Sequence, residues 1–199
     1  MPLLSLSNKI AQALGFTARD HRSGRLIAVI ECILNQNARD RGAATYPASN
    51  QALVHLCLHY DIGLLQIPCP EMKCLGLRRE RPVGTTLRAC LDTAAGWHCC
   101  QTISREVVDR FQDYLQNDYR LLAILGGNPE SPGCAVHHEQ DQQGQKRLAD
   151  QSGILMRALQ AELRNRALEI PFVEIRDYRP ELLRDDLAKL ETLFRQGRR

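Results

Sequence analysis

The chain contains no hydrophobic run near the roughly 18 residues that a membrane-spanning helix requires. It carries little net charge, +3 over 199 residues, which is too small by itself to indicate a nucleic-acid partner. It has no internal repeat. Its eight cysteines form no Cys-x-x-Cys pair, which argues against a zinc ribbon or a ferredoxin-type site. At the N-terminus, Met1 to Phe16 has a few leucines, interrupted by Ser5, Ser7, Asn8, Lys9 and Gln12. This stretch lacks the compact apolar region of a signal peptide. It reads as a short amphipathic helix, and the protein as cytoplasmic.

What is present describes an ordinary globular chain. Apolar residues make up 44% and charged residues 25%, enough for a real core. The length suits one domain: an N-terminal helix and loop over 1–25, then a single α/β domain over 26–199 that closes with a C-terminal helix. In a cytoplasmic protein, eight cysteines point to metal binding or catalysis before disulfides.

The element pattern alternates. Leu26 to Leu34 opens with Leu-Ile-Ala-Val-Ile, a β-branched run of strand length, buried on both faces, with Cys32 near its end. A polar loop, Asn35 to Gly42, follows. Ser49 or Asn50 caps a helix whose Leu53, Leu56, Cys57 and Tyr60 share one face. A second strand, Ile62 to Ile67, runs into Pro68-Cys-Pro70, where prolines stop a sheet ladder and hold Cys69 on a stiff turn.

Beyond it, a helix is expected around Thr86 to Thr93, and another capped by Thr102 with Ile103, Val107, Val108, Phe111 and Leu115 inward. Arg120 to Leu125 is a third strand. It ends in Gly126-Gly-Asn-Pro-Glu-Ser-Pro-Gly-Cys134, a second stiff turn bearing a thiol. Glu139 to Lys146 reads as a mobile surface loop. A helix over Ser152 to Leu168, an edge strand over Ile170 to Ile175, and a helix entered through Pro180 complete the chain.

Strands alternating with helices imply a Rossmann-like three-layer α/β fold with a mostly parallel sheet of about four strands. Ligands in such folds bind beyond the carboxyl ends of the strands. Cys32, Cys69 and Cys134 each lie at or just after such an end, so the topology gathers three thiols at one sheet edge. Three thiolates can hold an iron–sulfur cluster or a zinc ion, and a cubane with three protein ligands leaves one iron open to a soft atom such as sulfur.

Three segments resemble a known family. Cys32-Ile-Leu-Asn-Gln-Asn37, Pro68-Cys-Pro-Glu71 followed by Gly76-Leu-Arg78, and Ser131-Pro-Gly-Cys134 look like the motifs of the thiouracil desulfidases and their less characterised relatives. The resemblance covers roughly Leu26 to Val136. It implies a [4Fe–4S] cluster on Cys32, Cys69 and Cys134, whose fourth iron takes a substrate sulfur while C=S is replaced by C=O and sulfide is released. It further implies that Glu71 moves protons between substrate and water, and that Ser131 orients the substrate or the sulfur. The chain departs from the usual Ser-Pro-Ser-Cys-Gly, having Gly133 and Ala135 instead, and Cys74 lies outside the motif.

Plainer readings stand beside these. Cys57 and Cys90 suit a core as small apolar side chains. The roles of Cys74, Cys99 and Cys100 stay open. Glu71 equally suits the first turn of a helix beginning after Pro70. Asn35 and Asn37 either stabilise their loop or bind substrate. Arg78, Arg79 and Arg81 are a solvated charge run or, at Arg78 in particular, a hold on an anionic substrate. His137 and His138 read as loop histidines, and Trp97 as packing. The same cysteines could serve a structural or hydrolytic zinc site, or a cluster or sulfur carrier without activity of its own. The expected partner is a small thiolated compound, with a thiolated tRNA less favoured and no membrane.

Overall fold

The computed structural model describes residues 20–197; the helix expected over Met1–Phe16 lies outside them. The described elements are β1 (Arg25–Ile30), α1 (Glu31–Leu34), α2 (Gln51–His59), β2 (Gly63–Ile67), α3 (Pro70–Leu75), α4 (Leu87–Leu91), α5 (Ala94–Gln116), β3 (Arg120–Leu125), β4 (His138–Gln140), β5 (Lys146–Leu148), α6 (Ile154–Asn165), β6 (Phe172–Val173) and α7 (Pro180–Gln196). Four strands form one sheet in the order β2-β1-β3-β6, every pairing parallel. Helices cover it in three layers, with α5 packed along α6 and α2 against α7. Among the described residues, no helix is long and apolar enough to cross a membrane.

The sheet forms where the sequence is apolar without alternation. Ile27, Ala28 and Val29 of β1 are wholly buried, and Ala123, Ile124 and Leu125 of β3 equally so. A strand with both faces covered has no polar side to show, hence the continuous runs. β6 is two residues long and sits at the sheet edge, beside Pro171, whose missing N–H excludes it from an inner ladder.

Several boundaries differ from the sequence-based expectation. β1 stops at Ile30, and Cys32 lies on the helical turn α1 rather than in a strand. The turn brings the Glu31 carboxylate to the Cys69 N–H at 2.9 Å, satisfying an amide that the end of β2 leaves unpaired. α5 is capped nine residues earlier than expected, by Thr93 rather than Thr102, and the Thr93 hydroxyl accepts from the Gly96 N–H at 3.1 Å. Thr102 is inside that helix and donates to the His98 carbonyl. Gly96 permits the tight junction: a Cβ there would sit 2.2 Å from the Leu91 carbonyl oxygen. The region expected as a mobile loop is an antiparallel hairpin, β4 with β5. Asp141 builds its turn by accepting from the Gln143 and Gln145 N–H groups, with Gly144 at φ +76°.

Two other helix starts are as expected. Asn50 accepts from the Leu53 N–H at 3.1 Å, and Pro180 opens α7 with Leu183, Leu190 and Phe194 buried. Cys74 and Cys99 form a disulfide, Cα–Cα 6.0 Å, tying α3 to α5.

The first turn of α6 is joined to the loop after β3. The Ile154 and Leu155 N–H groups donate to the Pro132 and Gly133 carbonyls, both at 3.0 Å, and the Gly153 N–H to the Ala135 carbonyl at 2.9 Å. Helix-start amides without an intrahelical acceptor thereby hold this loop. Gly153 is the contact point, since a Cβ there would lie 2.3 Å from the Cys134 nitrogen. Gly153→Ala should therefore lower stability by about 1–3 kcal/mol, as overpacking does, seen as a drop in Tm. An unchanged Tm would show that the loop can retreat from α6 freely.

Candidate functional site

β1, β2 and β3 are neighbours and run the same way, so their carboxyl ends open onto one rim. Chain order leaves β1 toward β2 and returns on the other side as β3, which makes the β1/β3 boundary a switch point with a crevice above it. A cavity of about 490 Å³ occupies this rim, and its walls include Cys32, Cys69, Cys134, Glu71 and Ser131. The five residues singled out for cluster binding and catalysis are thus brought together.

Each is held by its own local chemistry. Cys69 caps α3, with Pro70 in the first helical position, where its absent N–H is no loss. Glu71 follows in the first turn, favourable for a carboxylate at a helix N-terminus, so its capping position and its place at the cavity are the same fact. Cys134 is fixed by the β3 loop: the Gly127 N–H donates to its carbonyl at 2.8 Å. A Cβ at Gly127 would fall 2.7 Å from the Cys134 Sγ. Gly133 packs on the Pro70 ring, where a Cβ would meet Cγ at 2.4 Å, which accounts for glycine at this point of the motif.

Ser131 is the hub. Its Oγ donates to Glu71 Oε1 at 3.2 Å, lies 3.0 Å from Cys134 Sγ, and accepts from the Cys134 N–H at 3.2 Å. Burial raises the Glu71 pKa above the usual carboxylate range despite the opposing Arg79 charge and the Ser131 hydrogen bond. Burial likewise pushes the Cys69 thiol up to about 11. Cys32 and Cys134 share a hydrogen bond. That bond, with the Arg39 charge beside it, pulls Cys32 down, while the same contact and burial hold Cys134 well above the usual thiol value. Cys32 is therefore the member of the pair that ionises first.

The loop after β1 brings to the site residues that sequence reasoning passed over. Gln36 is buried; its amide donates to the Cys32 carbonyl at 2.8 Å and its oxygen accepts from the Thr45 N–H at 3.0 Å. Arg39, on the cavity wall, binds Asp177 with both carboxylate oxygens, at 2.7 and 2.6 Å. Burial works against its charge, but the Asp177 and Cys32 contacts more than restore it. Arg79 is buried at the cavity wall beside Cys69. Arg78, the expected substrate contact, is exposed and lies outside the cavity walls. Asn35 and Asn37 are also exposed, and bond to each other: Asn35 Oδ1 accepts from the Asn37 N–H and Nδ2. These bonds tie their loop together.

The remaining candidates fall outside the site. Cys57 and Cys100 are core residues, with thiols raised to about 12 by burial; Cys74 and Cys99 are joined to each other. His137 bonds the Pro129 carbonyl and His138 the Phe172 carbonyl. Trp97 donates to Asp92 and stacks under Arg157.

The chain matches no protein-family model and no solved structure. A stretch of 114 residues is 29% identical to an uncharacterized protein of Methanocaldococcus jannaschii, covering 57% of this chain and 69% of that protein.

The Glu71 environment sets a pH dependence of stability. Its folded-state pKa lies above the unfolded one, so the folded state holds the proton more tightly and this group's contribution falls as pH rises above the ordinary carboxylate value. Glu71→Gln removes that fall. In cluster-free protein, the Tm of Glu71→Gln relative to the unsubstituted chain should rise between about pH 4 and about pH 8. The opposite trend would mean that the carboxylate is stabilised as an anion.

Proposed function

We propose that this protein is an iron–sulfur-dependent desulfidase, which replaces C=S by C=O in a small thiolated compound such as a thiopyrimidine. The observation that carries the reading is a juxtaposition: three cysteines from three adjacent strand ends share one cavity with a buried Glu71, hydrogen-bonded to the half-buried Ser131 at 3.2 Å. Cys32, Cys69 and Cys134 would hold a [4Fe–4S] cluster.

Three thiols on one rim suit a cubane cluster, which is bound at separate irons. Arg79, with its Nε unpartnered and its Nη2 3.5 Å from Cys69 Sγ, suits sulfur-rich negative charge. When bound, the cluster supplies an open iron, a soft Lewis acid for a thiocarbonyl sulfur.

The chain's own groups then supply the proton chemistry. The reaction is hydrolytic: one water enters, its oxygen becomes the carbonyl, and sulfide leaves with the protons, so no external reductant is needed. Glu71, with its pKa raised by burial, is suited to take a proton from the attacking water and return it. Ser131 fixes the carboxylate and holds the Cys134 amide, keeping base and sulfur ligand in one geometry.

Anaerobic reconstitution tests the reading directly. About four irons and four sulfides per chain, with broad absorption near ~400 nm, are expected, followed by sulfide release from a thiolated base. Cys69→Ala should fail to retain the cluster. Glu71→Gln should retain it and slow sulfide release by about a hundredfold or more. A protein that takes up only zinc sinks the cluster; an intact cluster in Cys69→Ala, or full turnover by Glu71→Gln, removes the respective assignment.

A further inference from the structure

Two arginines are buried at this site, and they are treated differently. Arg39 has its charge met by Asp177 in a two-point contact. Arg79 has only a long ion pair with Glu71. Its side chain is wholly buried, and the nearest carboxylate oxygen, Glu71 Oε2, stands 3.9 Å from Nε, beyond hydrogen-bond reach. Nε has no hydrogen-bond partner at all. Nη1 donates to the Leu77 carbonyl, and Nη2 to the Ala38 carbonyl and, at 3.5 Å, to Cys69 Sγ.

The backbone is equally unusual. Arg79 sits at φ +48°, the left-handed region that a side chain bearing a Cβ occupies at a cost of about 1–3 kcal/mol. A buried cation without a hydrogen-bonded anion is likewise unfavourable. Both penalties fall on one residue, and both place a guanidinium against a predicted cluster ligand.

We infer that Arg79 is the counter-charge for an anionic, thiolate-held group at Cys69, and that by donating to Cys69 Sγ it sets the reduction potential and retention of that group. The inference rests on the cluster reading above and adds a positioning residue to it. A hydrogen bond and a positive charge at a ligand sulfur favour the more electron-rich state, which raises the potential. Arg79 acts through Cys69 rather than on the substrate.

The test compares the reconstituted protein with Arg79→Gln and Arg79→Lys by anaerobic redox titration, and follows iron loss to a chelator. At a fixed solution potential, the ratio of reduced to oxidised cluster in Arg79→Gln should fall by about tenfold, a downward shift of about 59 mV for a one-electron couple. Arg79→Lys, which keeps the charge and loses the fork, should fall between. Iron should leave Arg79→Gln several-fold faster. Wild-type potential and wild-type chelator resistance in Arg79→Gln would overturn the inference and leave the cluster reading standing. Failure of the unsubstituted protein to take up iron and sulfide would overturn both. Should Arg79→Gln take up no cluster, thermal melting of the cluster-free variant decides. A melt like wild type supports the inference. A melt far below it makes Arg79 a structural tie between Leu77 and Ala38 and overturns the inference.

Discussion

Parallel pairing of β1 with β2 on one side and β3 on the other is the constraint from which the site follows. Parallel strands all end on the same edge, and three adjacent ends lie within one crevice width of each other. Cys32, Cys69 and Cys134 are separated by tens of residues, and only this pairing makes them neighbours. An antiparallel arrangement of any one strand would carry its cysteine to the far edge.

Around that edge the loops are held chiefly by one another's backbone groups. Glu31 satisfies the Cys69 amide, Gln36 the Cys32 carbonyl, and the α6 N–H groups the carbonyls of Pro132 and Gly133. Each link crosses between segments that carry different cysteines or lock one of them in place. The glycines are where backbone must pass close: Gly127 under Cys134, Gly133 on Pro70, Gly153 against Cys134. Such a rim presents its thiols with little freedom, which is what pre-organised ligation or catalysis needs.

The electrostatics divide the site into two halves. On the Cys32 side, the Cys134 contact and the Arg39 charge bias the Cys32 thiol toward its anion against the Asp177 charge, while Arg39 and Asp177 form a closed pair. On the Cys69 side, Arg79 and Glu71 stand near each other without a hydrogen bond, and burial leaves the carboxylate ready to hold a proton. One half suits ligation and the other suits proton movement, with Ser131 touching both Glu71 and Cys134 between them.

Much of this was open to a reader of the chain. Apolar runs marked β1, β2 and β3. Asn50, Pro70 and Pro180 marked helix starts, and strand-end cysteines marked the rim, because short-range chemistry governs each of these. The sequence by itself therefore determined the fold class, the identity of the three thiols, and the company of Glu71 and Ser131. Tertiary structure alone decided which of four consecutive charged positions, 78–81, turns inward: Arg79 is buried while Arg78 is exposed, a choice made by the left-handed backbone at Arg79 and the carbonyls of Ala38 and Leu77. It also decided the pairing of Cys74 with Cys99, and the use of Asp177, 138 residues from Arg39 in the chain, as that arginine's counter-ion. A local pattern cannot encode these, since each depends on which distant backbone or charge arrives at the same point.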